Sequence, residues 1–463
     1  MDRWNESHKP RIQVSMLLAI DERPNERSRP RFAQALAQCR DAASPAMTGA
    51  ISGVVGLRFD VVGLDLPIGA TVEVLHPTNP LLGEVVAVGE RGVSCMPLGE
   101  VRGLRVGGRV RGSEKPASVW VGPKLLGRVM DALGQPLDGL EPLSGLHEVP
   151  LHAEVPHPMK RTRIATPMSL GIRPWDTMVP AGRGQRVGVF AGSGVGKSTL
   201  LGMVARNTAA DVNVVALIGE RGREVREFVE ADLGPEGLAR SVLIVATSDA
   251  PALVRLRAAF VATRIAEYFR DLGNDVMLMM DSLTRFCMAQ REIGLSAGEP
   301  PTSRGYPPSV FSMLPRLLER AGTAEVGSIT GLYTVLVDGD DHNEPISDAV
   351  RSILDGHVVL SRRLAHANHY PAIDVLASVS RVASAVTTPQ ERALSSELRQ
   401  LLAAEAEAKD LIEIGAYVAG ANPLVDRAIA LHDPIQSFLR QDVDDRCEAS
   451  VAFDRLAQIL SLR

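Results

Sequence analysis

The sequence predicts an α/β fold with a parallel sheet, preceded by a small β domain and followed by a helical region. Between residues 165 and 385, short apolar runs alternate with helical stretches, which is the pattern of a parallel sheet covered by helices on both faces. Residues 46–114 hold short runs rich in Val and Leu that are separated by glycines, which favours a small barrel or sandwich. After residue 386 the strand pattern stops and helical periodicity follows.

The composition is ordinary for a globular protein, with 45% hydrophobic and 23% charged residues among 463. A net charge of −5 and only 4% aromatic residues argue against a nucleic-acid binder. Cys39, Cys95, Cys287 and Cys447 lie far apart without a CxxC pair, so we expect a reducing cytosol and neither a disulfide framework nor a zinc site. The apolar run Val14–Ile20 is too short to span a membrane, and we expect no signal peptide.

Two segments flank the predicted β domain. Residues 1–45 read as a separate arm, in which Arg31–Arg40 has apolar residues at helical spacing and is either a frayed terminus or a helix that docks a partner. Residues 115–164 contain several prolines and are predicted to be a mostly extended connector. The predicted organisation is an arm (1–45), a β domain (46–114), a connector (115–164), a core (165–385) and a helical domain (386–463).

The elements of the core and the C-terminal region are predicted from apolar runs and from helical periodicity. The predicted strands are Gln185–Phe190, Asn213–Ile218, Ser241–Ala246, Val276–Met280 and Gly331–Val337. The clearest helices are predicted over Thr199–Arg206, Arg255–Arg270, Glu391–Tyr417 and Val451–Leu462.

A phosphate-binding loop is the strongest functional signal, because AGSGVGKS follows a predicted strand and precedes a predicted helix. Glycines let backbone N–H groups approach phosphate oxygens, and the helix N-terminus favours an anion. Lys197 can reach the β- and γ-phosphates, and the Ser198 hydroxyl can bind Mg²⁺. The usual pattern begins with Gly, and Ala191 takes that place here. The predicted nucleotide-binding residues of the loop are Ala191, Gly192, Ser193, Gly194, Val195, Gly196, Lys197, Ser198 and Thr199.

Two carboxylates follow strands of the same predicted sheet. Asp281 ends the buried run VMLMMD, and α/β folds place ligands at that end of a strand, so we expect Asp281 at a magnesium site. Glu220 can orient the attacking water, with Arg221 meeting the charge of the γ-phosphate. From the residues alone, a surface cluster of salt bridges explains Glu220 and Arg221 as well.

Five longer motifs resemble the flagellar and type III secretion ATPases, which are relatives of the rotary ATP synthase catalytic and non-catalytic subunits. The resemblance covers roughly residues 46–440, and it implies a β-barrel, a RecA-like ATPase core and a C-terminal helical domain. The motifs are GERGREV (219–225), MDSLTRFCMAQREIG (280–294), GEPPTSRGYPPSVFSMLPRLLERAG (298–322), ILDGHVVLSRRLA (353–365) and HYPAIDVLASVSR (369–381).

The resemblance also implies catalytic roles for individual residues. Lys197 and Ser198 fall on the family's phosphate and magnesium ligands. Glu220 falls on the catalytic glutamate, and Asp281 on the aspartate of the magnesium site. Arg221 falls on a basic residue near the γ-phosphate. The expected chemistry is ATP hydrolysis with Mg²⁺.

Further residues match the family's nucleotide pocket and its subunit interface. Arg285 falls on a second basic residue near the γ-phosphate, and Tyr370 on the aromatic that packs on adenine. Phe438 resembles a second aromatic of the adenine pocket. Arg381 falls on the arginine finger that reaches into a neighbour's site. Since one chain then carries both Glu220 and this finger, the resemblance implies a closed homohexameric ring.

The family further implies the partners of an export motor. These are a stator-like regulator dimer at the N-terminal arm, a central stalk protein in the ring pore, export-gate membrane proteins, export substrates and chaperones. The expected location is the cytoplasm, peripherally associated with the membrane export apparatus. The acidic loop 337–345 is either a solvated turn or a contact with the stalk through Asp340 and Asp341.

Three alternatives to a flagellar export ATPase remain. A virulence-type secretion ATPase is barely separable from it by sequence. A rotary ATP synthase subunit is disfavoured because that machine divides the catalytic and regulatory roles between two chains. An RNA translocase resembling Rho is disfavoured because the predicted β domain has one aromatic residue, Phe59.

Overall fold

The computed structural model describes residues 47–75, 80–337 and 344–462. The predicted arm over 1–45 and most of the acidic loop over 337–345, including Asp340 and Asp341, lie outside these residues. The hypotheses of a docking helix and of a stalk contact therefore stay predictions.

The β domain is a closed six-stranded barrel with the order β1-β2-β5-β4-β3-β6, which confirms the predicted barrel. Inward and outward residues alternate along its strands: Ala70, Val72 and Val74 of β3 are buried, and the residues between them are partly exposed. Closure leaves the barrel without a free edge. The strands are β1 (Met47–Val55), β2 (Arg58–Val62), β3 (Ala70–Val74), β4 (Leu81–Gly89), β5 (Gly92–Pro97) and β6 (Arg109–Pro116).

The segment predicted as an extended connector contains three strands. β7 (Ser118–Val121) pairs with β9 (His147–Pro150) in a small antiparallel sheet. β8 (Arg128–Asp131) pairs in parallel with β14 (Ser241–Thr247) and becomes an edge strand of the central sheet. The four residues of β8 are too short a run to be recognised as a strand by sequence pattern alone.

The central sheet has nine strands, eight of them in the order β19-β18-β12-β17-β15-β13-β14-β8, with β16 paired to β17. The six pairs that join β18 through to β8 are parallel, as predicted, and β19 is antiparallel to β18 at one edge. The two-stranded ribbon of β10 (Pro167–Met168) and β11 (Ala181–Gly182) precedes the sheet. The remaining strands are β12 (Arg186–Ala191), β13 (Val212–Glu220), β15 (Asp275–Asp281), β16 (Gly322–Thr323), β17 (Ser328–Leu336), β18 (Gly356–Leu360) and β19 (Ile373–Ser380).

Apolar side chains cover both faces of this sheet. In β13, Val214 and Ala216 belong to one hydrophobic cluster, and Val215 and Leu217 belong to a second cluster on the opposite face. A strand buried on both faces has a continuous apolar run instead of an alternating one, which is why these strands are visible in the sequence.

Helices pack against both faces of the sheet and make up the C-terminal region, as predicted. Helix α11 begins at a capping box formed by Thr388 and Glu391. A π-helical segment, Phe228–Leu233, separates α3 from α4. The helices are α1 (Arg173–Met178), α2 (Lys197–Asn207), α3 (Gly222–Glu227), α4 (Gly234–Ala239), α5 (Ala252–Asp271), α6 (Leu283–Ala297), α7 (Pro308–Leu318), α8 (Pro345–Ile353), α9 (Arg362–His366), α10 (Ala383–Val386), α11 (Pro389–Glu413), α12 (Pro423–Ala430), α13 (His432–Leu439) and α14 (Ala449–Leu460).

None of the helices in the described part of the chain has both the length and the apolar character that crossing a bilayer would require.

Candidate active site

The phosphate-binding loop connects β12, which ends at Ala191, to α2, which begins at Lys197. Gly194 and Gly196 have φ angles of 75° and 85°, a left-handed conformation that side chains other than glycine rarely adopt. Gly196 is the residue immediately before α2, so the turn directs the loop into the helix N-terminus. The backbone N–H groups at that end are free of intrahelical partners and are suited to an anion.

Both predicted carboxylates lie at the carboxyl ends of parallel strands in the centre of the sheet. Glu220 is the last residue of β13, and Asp281 is the last residue of β15. The two strands are direct neighbours, with Asp281 opposite Leu217 in the register. This edge of an α/β sheet is where ligands bind, because the strands end there and the loops diverge.

Lys197 joins the loop to both carboxylates. Its Nζ donates to Asp281 Oδ1 and lies 3.5 Å from Glu220 Oε1. Thr334 Oγ1, from β17, donates a second hydrogen bond to Asp281 Oδ1 at 2.7 Å. The exposed fractions of the Lys197, Glu220 and Asp281 side chains are 12%, 16% and 3%, so the three charges interact in a largely dry environment.

Burial raises the pKa of Glu220 to about 7. Lys197 opposes this shift, while the carboxylates of Asp281 and Glu224 add to it. Glu224 itself has a lowered pKa despite partial burial, because it accepts a hydrogen bond from Glu220 and lies beside Arg221. Burial would lower the pKa of Lys197, but Asp281 and Glu220 outweigh that effect and raise it. Glu220 is therefore poised near neutral pH, as a general base requires.

A cavity of about 1020 Å³ opens above these groups. It is large enough for a nucleotide-sized ligand. Its walls come from the phosphate-binding loop, the start of α2, residues 220–232, the loop before β19 and residues 440–443. Asp281 is buried and does not line the cavity, whereas Lys197, which binds it, does.

The predicted basic and aromatic residues also border this cavity. Arg285 packs its aliphatic stem against the backbone of Gly219, and its buried Nε has no hydrogen-bond partner. Because Arg285 lines the cavity, its guanidinium can donate a hydrogen bond to a phosphate oxygen. Arg221 is mostly exposed and pairs with Glu224 at 3.1 Å. The Tyr370 ring lies against Gly196 and is 42% exposed.

Comparisons with known proteins agree with this geometry. The nucleotide-binding domain of the ATP synthase alpha/beta family matches residues 171–380, and the T3SS EscN ATPase C-terminal domain matches residues 387–458. The flagellum-specific ATP synthase of Bacillus subtilis is 50% identical over 417 residues, which cover 89% of this chain and 94% of that protein. This chain belongs to the flagellar and type III secretion ATPases.

Other members of this ATPase family are similarly close. The type 3 secretion system ATPase of Xanthomonas euvesicatoria is 52% identical over 398 residues, covering 86% of this chain and 90% of that protein. The assembled ATPase EscN from enteropathogenic E. coli, solved in complex with its central stalk EscO, has a TM-score of 0.83. It is 45% identical, and the match covers 89% of this chain and all of that one. The family membership establishes an ATP-hydrolysing enzyme of the protein export type.

Three residues predicted at the nucleotide site do not line the cavity of this ATPase. The Phe438 ring is buried in the hydrophobic core with Ile435 and Leu439, and it does not line the cavity. The residues that follow it, 440–443, form that wall instead. Within the loop, Ala191 and Val195 are buried behind the cavity surface.

Arg381 lies outside the cavity of its own chain. It is exposed just beyond the edge strand β19, where its guanidinium donates to the Arg351 carbonyl at 3.2 Å. The role of Arg381 as an arginine finger for a neighbouring chain therefore stays a prediction.

Sequence reasoning missed several residues that shape the site of this ATPase. Thr334 binds Asp281, Glu224 binds Glu220, and Gln441 lies in the cavity wall. Thr334 and Gln441 come from segments distant along the chain, and no local pattern marks them. Glu224 follows Glu220 by only four residues in GERGREV, and this closeness along the chain was the available signal.

Proposed function

We propose that this ATPase is the motor of a flagellar-type protein export apparatus and that it hydrolyses ATP at sites shared between the chains of a homohexameric ring. The observation that carries the proposal is the arrangement of Lys197, Glu220 and Asp281 beneath the phosphate-binding loop, with Arg381 outside the same cavity. The proposed coupling is to the unfolding or entry of export substrates.

The residues of the loop, 191–199, bind the ATP phosphates through backbone N–H groups and Lys197. Phosphate oxygens compete with Asp281 and Glu220 for the ammonium of Lys197, so nucleotide binding frees both carboxylates. Glu220 then orients the attacking water and accepts its proton. Arg221 and Arg285 balance the charge on the γ-phosphate. Tyr370 packs against the base.

The residues present also fit a magnesium ion. The Ser198 hydroxyl and the Asp281 carboxylate supply oxygen ligands of the kind that Mg²⁺ prefers, and ATP phosphates and water would complete the shell. The described residues contain no cluster of three or more His, Cys, Asp and Glu side chains suited to a metal, so an ion bound mainly through the nucleotide is the arrangement they support. When bound, the ion neutralises phosphate charge.

The proposal of a ring rests on the position of Arg381. A finger supplied by a neighbour requires a heterologous interface, and such an interface forms a ring when the rotation between neighbouring chains closes. EscN, which is 45% identical, is described as an assembled ATPase. We propose the same mode of assembly for this chain. We also propose that its domains are the five predicted segments, which are 1–45, 46–114, 115–164, 165–385 and 386–463.

The partners proposed for this chain follow the family. EscN was solved with its central stalk, and we propose a stalk protein in the pore of this ring too. We further propose a stator-like regulator dimer at residues 1–45, and contacts with export-gate membrane proteins, export substrates and chaperones. The proposed location is the cytoplasm, at the membrane export apparatus.

The rate of ATP hydrolysis per chain, measured against protein concentration, tests the shared site. We expect the rate to climb as rings assemble, because a chain alone lacks the arginine of its neighbour. An in-trans arginine is commonly worth roughly 10³–10⁵ in rate. A rate per chain that stays constant and high at strong dilution would contradict the shared site, and no hydrolysis at any concentration would contradict the enzyme itself.

Expression in a strain that lacks its flagellar export ATPase tests the type of apparatus. We expect restored motility from the wild-type chain and none from a Lys197→Ala variant. Restored secretion in a type III secretion mutant, with no motility in the flagellar mutant, would favour the virulence-type alternative.

A further inference from the structure

Part of the cavity wall comes from two separate stretches of chain. One is the loop that carries Tyr370, and the other is residues 440–443, after α13. The Gln441 N–H donates to the Tyr370 carbonyl at 2.9 Å and joins the two stretches directly. Because the Tyr370 ring also lies against Gly196, this wall runs outward from the phosphate-binding loop. A nucleotide whose phosphates occupy the loop can place its base along this wall.

The side chain of Gln441 is buried, with 4% of the residue exposed, and its amide is fully used. Its Oε1 accepts from the Arg173 N–H at 2.7 Å. Its Nε2 donates to the Gly171 and Asp445 carbonyls, both at 2.8 Å. One side chain therefore ties the wall to the start of α1 and to the chain that follows the wall. A buried amide with every group satisfied fixes geometry strongly, because any shift leaves a polar atom unpaired.

Arg173, the first residue of α1, also binds the backbone around residues 440–443. It is 6% exposed, and its Nε donates to the Phe438 carbonyl at 3.2 Å. Its other guanidinium nitrogens donate to the Arg440 carbonyl and to the Asp445 carboxylate. Residues 440–443 are thus held on α1, whereas the catalytic carboxylates are held by the sheet.

We infer that Gln441 is the positioning residue for the base-side wall of the nucleotide cavity, holding residues 440–443 against Tyr370 and α1. The inference rests on the proposed ATP site and adds a residue to it. Glutamine suits this position because one amide both accepts and donates. Glutamate can still accept from the Arg173 N–H but cannot donate to Gly171, and methionine has neither ability.

The test is a Gln441→Met variant with ATP and inorganic tripolyphosphate as the two probes. Tripolyphosphate can occupy the phosphate-binding loop but has no base to reach the wall. We expect KM for ATP to rise about tenfold, because the loss of three buried side-chain hydrogen bonds loosens the wall, with kcat within roughly twofold. We expect the inhibition constant of tripolyphosphate to stay unchanged, because Lys197 and the loop are not altered.

Two further variants keep the test decisive. If Gln441→Met does not fold, Gln441→Glu takes its place, because it retains one of the three side-chain hydrogen bonds. We expect this variant to bind ATP and ADP more weakly than the wild type does, as measured by calorimetry. Gln290→Met is the matched control, because Gln290 is a buried glutamine of α6 that does not line the cavity. This variant loses one partly buried hydrogen bond, to Ser309 Oγ, and we expect it to leave KM for ATP unchanged.

The outcomes separate this inference from the proposed function. Hydrolysis by the wild type with an unchanged KM in the Gln441 variants overturns the inference alone. Equal weakening of ATP and tripolyphosphate also overturns it, because the effect would then be a general loss of structure. A wild-type chain that binds and hydrolyses no ATP overturns the proposed function itself.

Discussion

Glu220 is hydrogen-bonded to Glu224 and lies beside the ammonium of Lys197. We expect Glu220→Gln to reduce kcat by roughly 10²–10⁴-fold, because an amide cannot accept the proton of the attacking water. Affinity for ATP should be retained, since Lys197 and the loop are unchanged. Steady-state hydrolysis and nucleotide binding, measured on the same sample, check both parts.

The exposed Glu230→Gln is the matched control for that variant. Glu230 pairs with Arg226 on the protein surface and does not line the cavity. Its hydrolysis rate should equal that of the wild type. Full activity in Glu220→Gln would remove this residue from the mechanism.

The pH dependence follows from the raised pKa of Glu220, which is about 7. A carboxyl with a raised pKa keeps its proton to higher pH, so the base form is lost as pH falls below 7. We expect kcat/KM for ATP to decline on the acid side with a midpoint near 7. In Glu224→Gln the midpoint should move to lower pH, because Glu224 raises the pKa of Glu220. An acid limb unmoved by this substitution would contradict the coupling.

At the residue scale, a site residue could be predicted from the sequence where the pattern that marks it lies within one contiguous segment. Lys197 and Ser198 could be predicted because the loop, the strand before it and the helix after it are contiguous in the sequence. Asp281 was readable because it ends an apolar run. Thr334 and Gln441 act through hydrogen bonds to distant segments, which no local pattern encodes. Phe438 was predicted from its resemblance to an aromatic residue of the adenine pocket, but its ring is buried in the core. Only the residues that follow it, 440–443, reach the cavity wall.

At the level of elements, a buried ion pair fastens α5 to the end of α7. Glu267 and Arg320 are 1% and 3% exposed and share two hydrogen bonds, at 2.7 and 2.8 Å. We expect Arg320→Met to lower the free energy of unfolding by about 3–5 kcal/mol, because it leaves Glu267 as a buried charge without its main partner. A lower urea midpoint, with KM for ATP unchanged, would show this.

Two companion variants test the cause of that loss. Arg226→Met removes an exposed pair with Glu230 and should change the free energy of unfolding by less than about 0.5 kcal/mol. The double variant Glu267→Leu, Arg320→Met should be more stable than Arg320→Met alone, since it removes the stranded charge as well. If the double variant is the weaker of the two, the explanation by an unpaired charge is wrong.

Elements were predictable where burial on both faces made long apolar runs. The five predicted core strands all exist, within a few residues of the expected bounds. β18 and β19 were not recognised as strands, and β8 was assigned to the connector. β8 has four residues and β18 five, and β19 has exposed residues among its buried ones, so their patterns resemble loops until their pairing partners are known.

At the scale of the whole assembly, mixing two inactive variants tests whether sites are shared. Glu220→Gln and Arg381→Ala should each be inactive alone. In mixed rings, about a quarter of the interfaces combine an intact Glu220 with an intact Arg381, so activity should return to that fraction. Hydrolysis is measured after co-assembly, against the wild type at equal concentration.

The control places both substitutions in one chain and mixes it with Arg381→Ala. No interface then holds an intact Arg381, so no recovery is expected. Recovery in the control, or none in the first mixture, would argue against an arginine supplied by the neighbouring chain.

The pairing of β8 with β14 has a practical consequence for dissecting this protein. A fragment that begins at residue 165 keeps the whole catalytic edge but loses β8, which lies earlier in the chain. β14 would then present a row of unpaired N–H and C=O groups, and its buried apolar run would face water beside them. Such a truncation should precipitate or form intermolecular sheets, so an isolated catalytic fragment is best begun before Arg128.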